Sequence, residues 1–305
     1  MTNGNGAGDR LRVGSAPDSW GVWFPEDAQQ TPWQRFLDEV AAAEYRWIEL
    51  GPYGYLPTDP HRLRDELARR ELTLSAGTCF TAFHHGDVWA QTWEHVRQVA
   101  ELTAALDAKH LVVIPEMWRD PATGEQLEDR ALNDGSWRAL GTGIDRLAKA
   151  VYEEFGLRLQ FHPHADSHVD TQQHVERFLE MTDPTLVTLC LDTGHISYCG
   201  GDNLELIEKY PSRIGYLHLK QVDPQVLAGV HDDDLPFGPA VRRGVMCEPP
   251  NGVPALEPII EAVRGLDADL FAIVEQDLYP CAPEVPLPIA RRTRDYLTRC
   301  GAGVR

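Results

Sequence analysis

The sequence predicts a single (β/α)₈ barrel, on three observations. Short apolar runs alternate with longer amphipathic ones through the whole chain, giving eight strands and eight helices in strict order. Such alternation implies a parallel sheet with right-handed crossovers. The 305 residues suit the roughly 250 that a closed eight-unit barrel needs, with room for insertions. The first strand runs into Ser15-Ala16-Pro17-Asp18-Ser19-Trp20-Gly21, which is not the Gly-rich phosphate turn of an open doubly wound sheet.

The elements follow in order. Leu11–Ser15 is the first strand, and Trp33–Ala43 is a helix by its apolar spacing. Strand two is Trp47–Leu50, and helix two is Asp59–Arg70. Strand three is Thr73–Gly77, followed by a long helix, Ala90–Leu106. His110–Ile114 is strand four, stopped by Pro115. A polar stretch, Glu116–Ser136, precedes a helix over Trp137–Phe155. Strand five is Arg158–His162, and Asp170 is placed to cap the helix Thr171–Met181. Val187–Asp192 is strand six, and Pro211 ends a short helix, Asn203–Tyr210. Ile214–Leu219 is strand seven. Residues Val222–Gly252 read as a long Gly-, Pro- and Asp-rich loop. Helix Pro254–Arg264, strand Phe271–Glu275 and helix Pro286–Cys300 complete the barrel. Residues 1–10, rich in Gly, Asn and Thr, read as a disordered lead-in to a catalytic domain over 11–305. The two long loops follow strands four and seven, on the rim where barrel active sites lie.

Composition narrows the function. Asp and Glu outnumber Lys and Arg by 47 to 28, a net charge of −19, with no basic run, which argues against nucleic-acid binding. No stretch of 18 apolar residues is present, so no membrane helix is expected, and no signal peptide is legible. A cytoplasmic protein is the expectation. The six cysteines include no Cys-x-x-Cys pair and are expected as free thiols.

Strands five to eight end in Leu-Gln-Phe-His162, Leu-Cys-Leu-Asp192, Gly-Tyr-Leu-His218 and Ala-Ile-Val-Glu275. One polar strand end carries little information. Four neighbouring ones, all nitrogen or oxygen donors, would converge on one rim as an N₂O₂ metal site. Two imidazoles and two carboxylates suit Mn²⁺, Co²⁺, Fe²⁺ or Zn²⁺ better than Ca²⁺. In Phe161-His162-Pro163-His164 either histidine can face the rim; His162, nearer the strand body, is preferred, leaving His164 for substrate or acid chemistry. His168 reads as a loop residue. Glu49, ending strand two, and Lys220, two residues beyond His218, are candidate bases; His195 and His164 are candidate acids. Trp20, Glu116 and His84 are candidate substrate contacts, with Trp23, Phe24 and His85 beside them.

At these residues the chain resembles the xylose isomerase-like barrel superfamily, from about Arg12 to Leu297. The carrying segments are Gly14–Gly21, Trp47–Gly51, Phe161–His164, Leu191–His195, Tyr216–Lys220 and Val274–Asp277. Within it the chain looks most like the inosose dehydratase branch, on the His-x-His after strand five, Leu191-Asp192-Thr193-Gly194-His195, His218-Leu219-Lys220 and Glu275-Gln276-Asp277 with a later Pro-Leu, and His162 stands where much of the superfamily has a strand-five glutamate. The resemblance implies an Mn²⁺ or Co²⁺ enzyme, with Mg²⁺, Fe²⁺ and Zn²⁺ as alternatives, acting on a polyhydroxylated keto-cyclitol or keto-sugar. It implies dehydration through an enolate, with isomerisation or epimerisation and cleavage of oxidised C-glycosides as rivals. Relatives are commonly dimers or tetramers, so a homo-oligomer is expected.

Overall fold

A computed structural model describes residues 11–302; the lead-in expected at 1–10 lies outside the described residues. Seven strands come first: β1 (Leu11–Ser15), β2 (Trp47–Glu49), β3 (Thr73–Thr81), β4 (His110–Pro115), β5 (Arg158–Phe161), β6 (Val187–Asp192) and β7 (Ile214–Leu219). An antiparallel ribbon, β8 (Gln221–Val222) with β9 (Met246–Cys247), precedes the last barrel strand, β10 (Leu270–Val274). Strands β1 to β7 and β10 are parallel and close into a barrel, β10 pairing with both β7 and β1. The expected (β/α)₈ architecture is therefore the observed one.

The helices are α1 (Trp33–Ala42), α2 (Pro60–Ala68), α3 (Trp89–Ala105), α4 (Asp134–Phe155), α5 (Gln172–Met181), α6 (Thr193–Tyr198), α7 (Asn203–Lys209), α8 (Pro224–Asp232), α9 (Phe237–Arg242), α10 (Leu256–Arg264) and α11 (Pro286–Arg299). Local chemistry sets their ends. Asn133 opens α4 by accepting from the N–H groups of Gly135 and Ser136, and Gly156 closes it at φ 67°. The cap of α5 is Thr171, whose hydroxyl accepts from His174 N, and not Asp170, whose carboxylate is engaged by Arg130 and the His174 ring.

Strand alternation divides the core in two. Leu159, Phe161, Leu189, Leu191, Leu217, Leu219, Ala272 and Val274 face the helices, while Cys190, Tyr216, Phe271 and Ile273 fill the barrel with Ala76 and Val112. Phe161 stacks on Phe178 of α5 with ring centroids 3.7 Å apart.

The segment expected to be a plain loop, 222–252, instead folds β8, α8, α9 and β9 around its own apolar cluster of Val222, Val230, Phe237, Ala240, Val241 and Met246. Both helices are short, and the high Gly, Pro and Asp content hides them. The polar stretch after β4 has no regular helix or strand before α4, and it clasps this insertion. Arg119 binds Asp166 (2.8 Å) and Asp234 (3.1 Å), and Asp166 accepts from Phe237 N (2.8 Å). Among the described residues no helix is long and apolar enough to cross a membrane.

The Phe161–Phe178 stack joins sheet to helix on the outward face of β5. Phe178→Ala is expected to cost about 3–5 kcal/mol in denaturant unfolding; a change below about 1 kcal/mol would show that the stack does not hold α5 to the barrel.

Candidate active site

The inward positions of four adjacent strands turn from apolar to polar toward the C-terminal rim. They read Cys190 then Asp192 on β6, Tyr216, His218 then Lys220 on β7, and Phe271, Ile273 then Glu275 on β10; His162 follows β5. The sheet register pairs Asp192 with His218, and His218 with Ile273, so the polar ends arrive at one height. Glu275 and His162 sit one residue beyond their strands, and His218 one residue before its strand ends.

The four residues His162, Asp192, His218 and Glu275 offer donor atoms that all lie within 4.8 Å of one another. Asp192 Oδ2 is the shared point: His162 Nε2 lies at 3.3 Å, Lys220 Nζ at 3.3 Å and His218 Nδ1 at 3.6 Å. Glu275 Oε2 lies 3.0 Å from both His218 Nδ1 and Lys220 Nζ. The other Asp192 oxygen accepts from His195 N (2.7 Å) and so starts α6 directly at the strand end. Gly194 in that turn is obligatory, because a Cβ there would overlap Cγ of Lys220.

Glu49 lies beneath the group. His218 Nε2 donates to Glu49 Oε1 (2.8 Å), and Thr78 donates to the other Glu49 oxygen (3.1 Å). The bond fixes the His218 ring with Nδ1 turned to Asp192 and Glu275, the arrangement in which a carboxylate orients a metal-binding imidazole. Nδ1 of His218 and Nδ1 of His162 are buried without a hydrogen-bond partner. Cys190 also lies near His162 and His218, but burial pushes its thiol up to about 12, so it stays protonated.

The charges are strongly coupled. Burial opposes ionisation of Asp192, yet Lys220 and His195 outweigh it and hold the carboxyl well below the usual range. Burial likewise opposes the Lys220 ammonium, but Asp192, Asp277 and Glu275 raise its pKa well above 10.5. Glu275 is held at about 2, against burial, by His218 and Lys220. Asp18 behaves oppositely: burial, then Glu275 and Asp277, raise it well above 3.8, and neither of its oxygens has a hydrogen-bond partner.

The remaining sequence candidates divide. His195 belongs to the group, its Nε2 lying 3.3 Å from Lys220 Nζ and its Nδ1 accepting from Ala165 N (3.2 Å). His164 stacks against His195 at 3.9 Å, and its Nδ1 donates to Ala165 O, so it stands beside the four donors and His162 stands among them. Trp20 is in the core, fully buried against Phe36 with its Nε1 donating to Glu39. The rim tryptophan is Trp23, which donates to Asp277 (3.1 Å) and stacks on Phe237 and Tyr279. Glu116 is exposed, its N–H donating to Thr81 O. His84 contacts Glu128, His85 and His168, a separate cluster.

Sequence reading did not single out Asp18, Asp277 or Phe237. Asp277 was legible two residues past Glu275 by strand alternation, and it binds Lys220 at 2.9 Å. Phe237 arrives from the insertion and covers His164 and His195, with ring centroids at 4.9 and 5.1 Å; no local signal announces that contact.

Known proteins resemble this arrangement as a whole. A family model described as xylose isomerase-like TIM barrel matches residues 37–299. An inosose dehydratase of Geobacillus kaustophilus (strain HTA426) is 31% identical over 295 residues, covering 95% of this chain and 94% of its own. Among solved structures, the probable 3-DHS dehydratase AsbF of Bacillus anthracis superposes with a TM-score of 0.72 at 15% identity, covering 94% of this chain and 98% of that one. The IOLI protein, described with a bound zinc atom, superposes at 0.68 with 16% identity, over 94% and 98%.

Burial, then His162, lowers His164 from an ordinary 6.5 to about 3. Between those values the unfolded chain carries an imidazolium that the folded chain lacks, so this group makes stability rise with pH through that window. Ring nitrogen shifts of metal-free protein at about pH 5 are expected to be those of a neutral His164; imidazolium shifts would contradict the burial argument.

Proposed function

The chain belongs to the xylose isomerase-like TIM barrel family, and from that premise we propose that it is a metal-dependent carbon–oxygen lyase that dehydrates a keto-cyclitol, an inosose. The observation that carries this is the convergence of four N and O donors within 4.8 Å of one another, with Lys220 beside the Asp192 oxygen among them, in a chain 31% identical along nearly its full length to an inosose dehydratase.

His162, Asp192, His218 and Glu275 would hold the cation. The orphaned Nδ1 of His218 supports the fit, since it is a buried nitrogen turned to Asp192 and Glu275 without a hydrogen-bond partner. Two imidazoles with two carboxylates suit Mn²⁺, Co²⁺, Fe²⁺ or Zn²⁺, and the family resemblance favours Mn²⁺ or Co²⁺ among them. A divalent cation there supplies Lewis-acid stabilisation of the charge that develops beside a carbonyl.

The chain's own groups move the protons. Between the two candidate bases, geometry favours Lys220, because Glu49 is committed to His218 from below. With Asp192 and Glu275 turned to a cation, Asp277 stays as the partner of Lys220. Held as an ammonium, against burial, by Asp192, Asp277 and Glu275, Lys220 would become a neutral amine once a cation draws off Asp192 and Glu275, and as that amine it takes the α-proton. His195, whose Nδ1 accepts from Ala165, carries its one proton on Nε2, beside Lys220 Nζ, and is placed to hydrogen-bond the departing β-hydroxyl. The proton taken by Lys220 passes from its ammonium to the departing hydroxyl, water leaves, and a carbon–carbon double bond forms between the two carbons. Phe237 and Trp23 wall this space, and Trp23 also holds Asp277.

Purified chain loaded with Mn²⁺ or Co²⁺ and given scyllo-inosose is expected to form an absorbing unsaturated or dione product with loss of water. A rearranged ketose in its place would assign isomerase chemistry, and neither product would sink the reading. His218→Ala is expected to lose the bound cation while circular dichroism stays that of the folded barrel; full activity in metal-free His218→Ala protein would overturn the ligand assignment. Lys220→Met is expected to keep the cation and slow turnover by about 10²–10⁴-fold; unchanged kcat would remove Lys220 from proton transfer.

A further inference from the structure

A second group of donors lies outside the site just described. His84, Glu128 and His168 bring one donor atom each to within 4.8 Å of the others, and none of them belongs to the first group. They come from three different connections: the 3-10 turn Phe83–His85 after β3, the stretch between β4 and α4, and the stretch between β5 and α5. Both histidines are buried, and Glu128 is about three-quarters buried, with 24% of its side chain exposed.

Hydrogen bonding fixes which atoms face inward. Arg130 O can only accept, so the proton of His168 sits on Nδ1, which donates to that carbonyl at 3.0 Å. The Nε2 of a neutral ring is then a bare lone pair. It is buried, has no hydrogen-bond partner, and lies 3.2 Å from Glu128 Oε1. His84 Nε2 lies 2.9 Å from the same oxygen, and its Nδ1 is also buried without a partner. A ring nitrogen facing a carboxylate oxygen in a buried place needs a positive charge between them, either a proton on that nitrogen or a metal ion. Ligands at zinc–nitrogen and zinc–oxygen distances of about 2.0–2.1 Å stand about 3.3 Å apart around a tetrahedral ion, close to the spacings seen. His85 completes the set, with Nε2 3.6 Å from the other Glu128 oxygen and its ring 4.1 Å from that of His84.

We propose that His84, Glu128 and His168 form a second divalent-metal site, suited to zinc, with His85 as its fourth ligand. Imidazole-rich donors with one carboxylate in a four-coordinate set match zinc chemistry. Because each of the three buried or partly buried ligands comes from a different rim connection, an ion here ties those connections together. The site is independent of the first, so losing one leaves the other.

The test is zinc stoichiometry in the full chain after reconstitution and dialysis, read by elemental analysis. Wild type is expected to hold two equivalents. Glu128→Gln, His168→Ala and Asp192→Asn should each hold one, and the Glu128→Gln/Asp192→Asn pair none. In the Asp192→Asn background zinc should raise the melting temperature, and adding Glu128→Gln should abolish that rise, a readout that needs no activity. The proposal is overturned if Asp192→Asn protein binds no zinc, or if Glu128→Gln still holds two equivalents. Failure of the first site is separately visible, as unchanged stoichiometry in Asp192→Asn.

Discussion

The arrangement turns on one carboxylate that has no contact with water. Asp192 is completely buried, and an ionised carboxylate in that position costs several kcal/mol unless its lone pairs are met. The surrounding structure meets them. One oxygen takes the His195 N–H in the first turn of α6, and the other is faced by two imidazoles and an ammonium. The demand spreads outward from there. Lys220 must thread past residue 194, which only glycine permits, and its remaining charge is taken up by Asp277 and Glu275. His218 must present Nδ1, which Glu49 secures from below.

A barrel suits such a demand because its strand ends form a ring. Alternation sends every second side chain inward, so one register pairing, Asp192 beside His218, fixes two donors at once. The layer below is filled by Tyr216, Phe271, Ile273 and Cys190, which exclude water from underneath. Cover from above is not part of the eight units. It is added by the segment 222–252, whose Phe237 lies on His164 and His195 and whose position is set by the Arg119–Asp166 clasp. Asp166 adopts φ 63°, unusual for a residue with a side chain, at the point where its carboxylate bridges two rim segments.

The periodic parts of this structure were readable, and the reasons are physical. Strands buried on both faces are continuous apolar runs, and the donor that ends each run is visible as the point where burial among apolar neighbours stops. That made His162, Asp192, His218 and Glu275 legible without any contact information. Helices α8 and α9 were not, although Asp223-Pro224 is a start signal: Asp223 accepts from Gln225 N and Val226 N, and Pro224 occupies the first helical position. Their brevity and the surrounding Gly, Pro and Asp outweighed that signal. Trp20 was placed at the rim because it follows β1, but a 3-10 turn carries it back into the core and leaves Trp23 on the rim. Contacts such as Phe237 on His195 or His168 beside His84 join distant connections, and nothing local in the chain encodes them.

Charge counting in the rim leads to the last step. Asp192, Glu275 and Asp277 gather around the single ammonium of Lys220, Glu49 meets His218 below them, and burial with two of those carboxylates raises the pKa of Asp18. Carboxylates outnumber ammonium groups in this buried space, and the imidazoles add nitrogen donors to it. Such an excess is costly in a folded protein on its own terms. It becomes sensible where a doubly charged cation is to be held and a substrate oxygen is to gain electron density beside it, because the same carboxylates that repel one another then share one partner. The rim is thus organised for a bound cation at some expense to the stability of the barrel without one, as is common where a fold places function above packing.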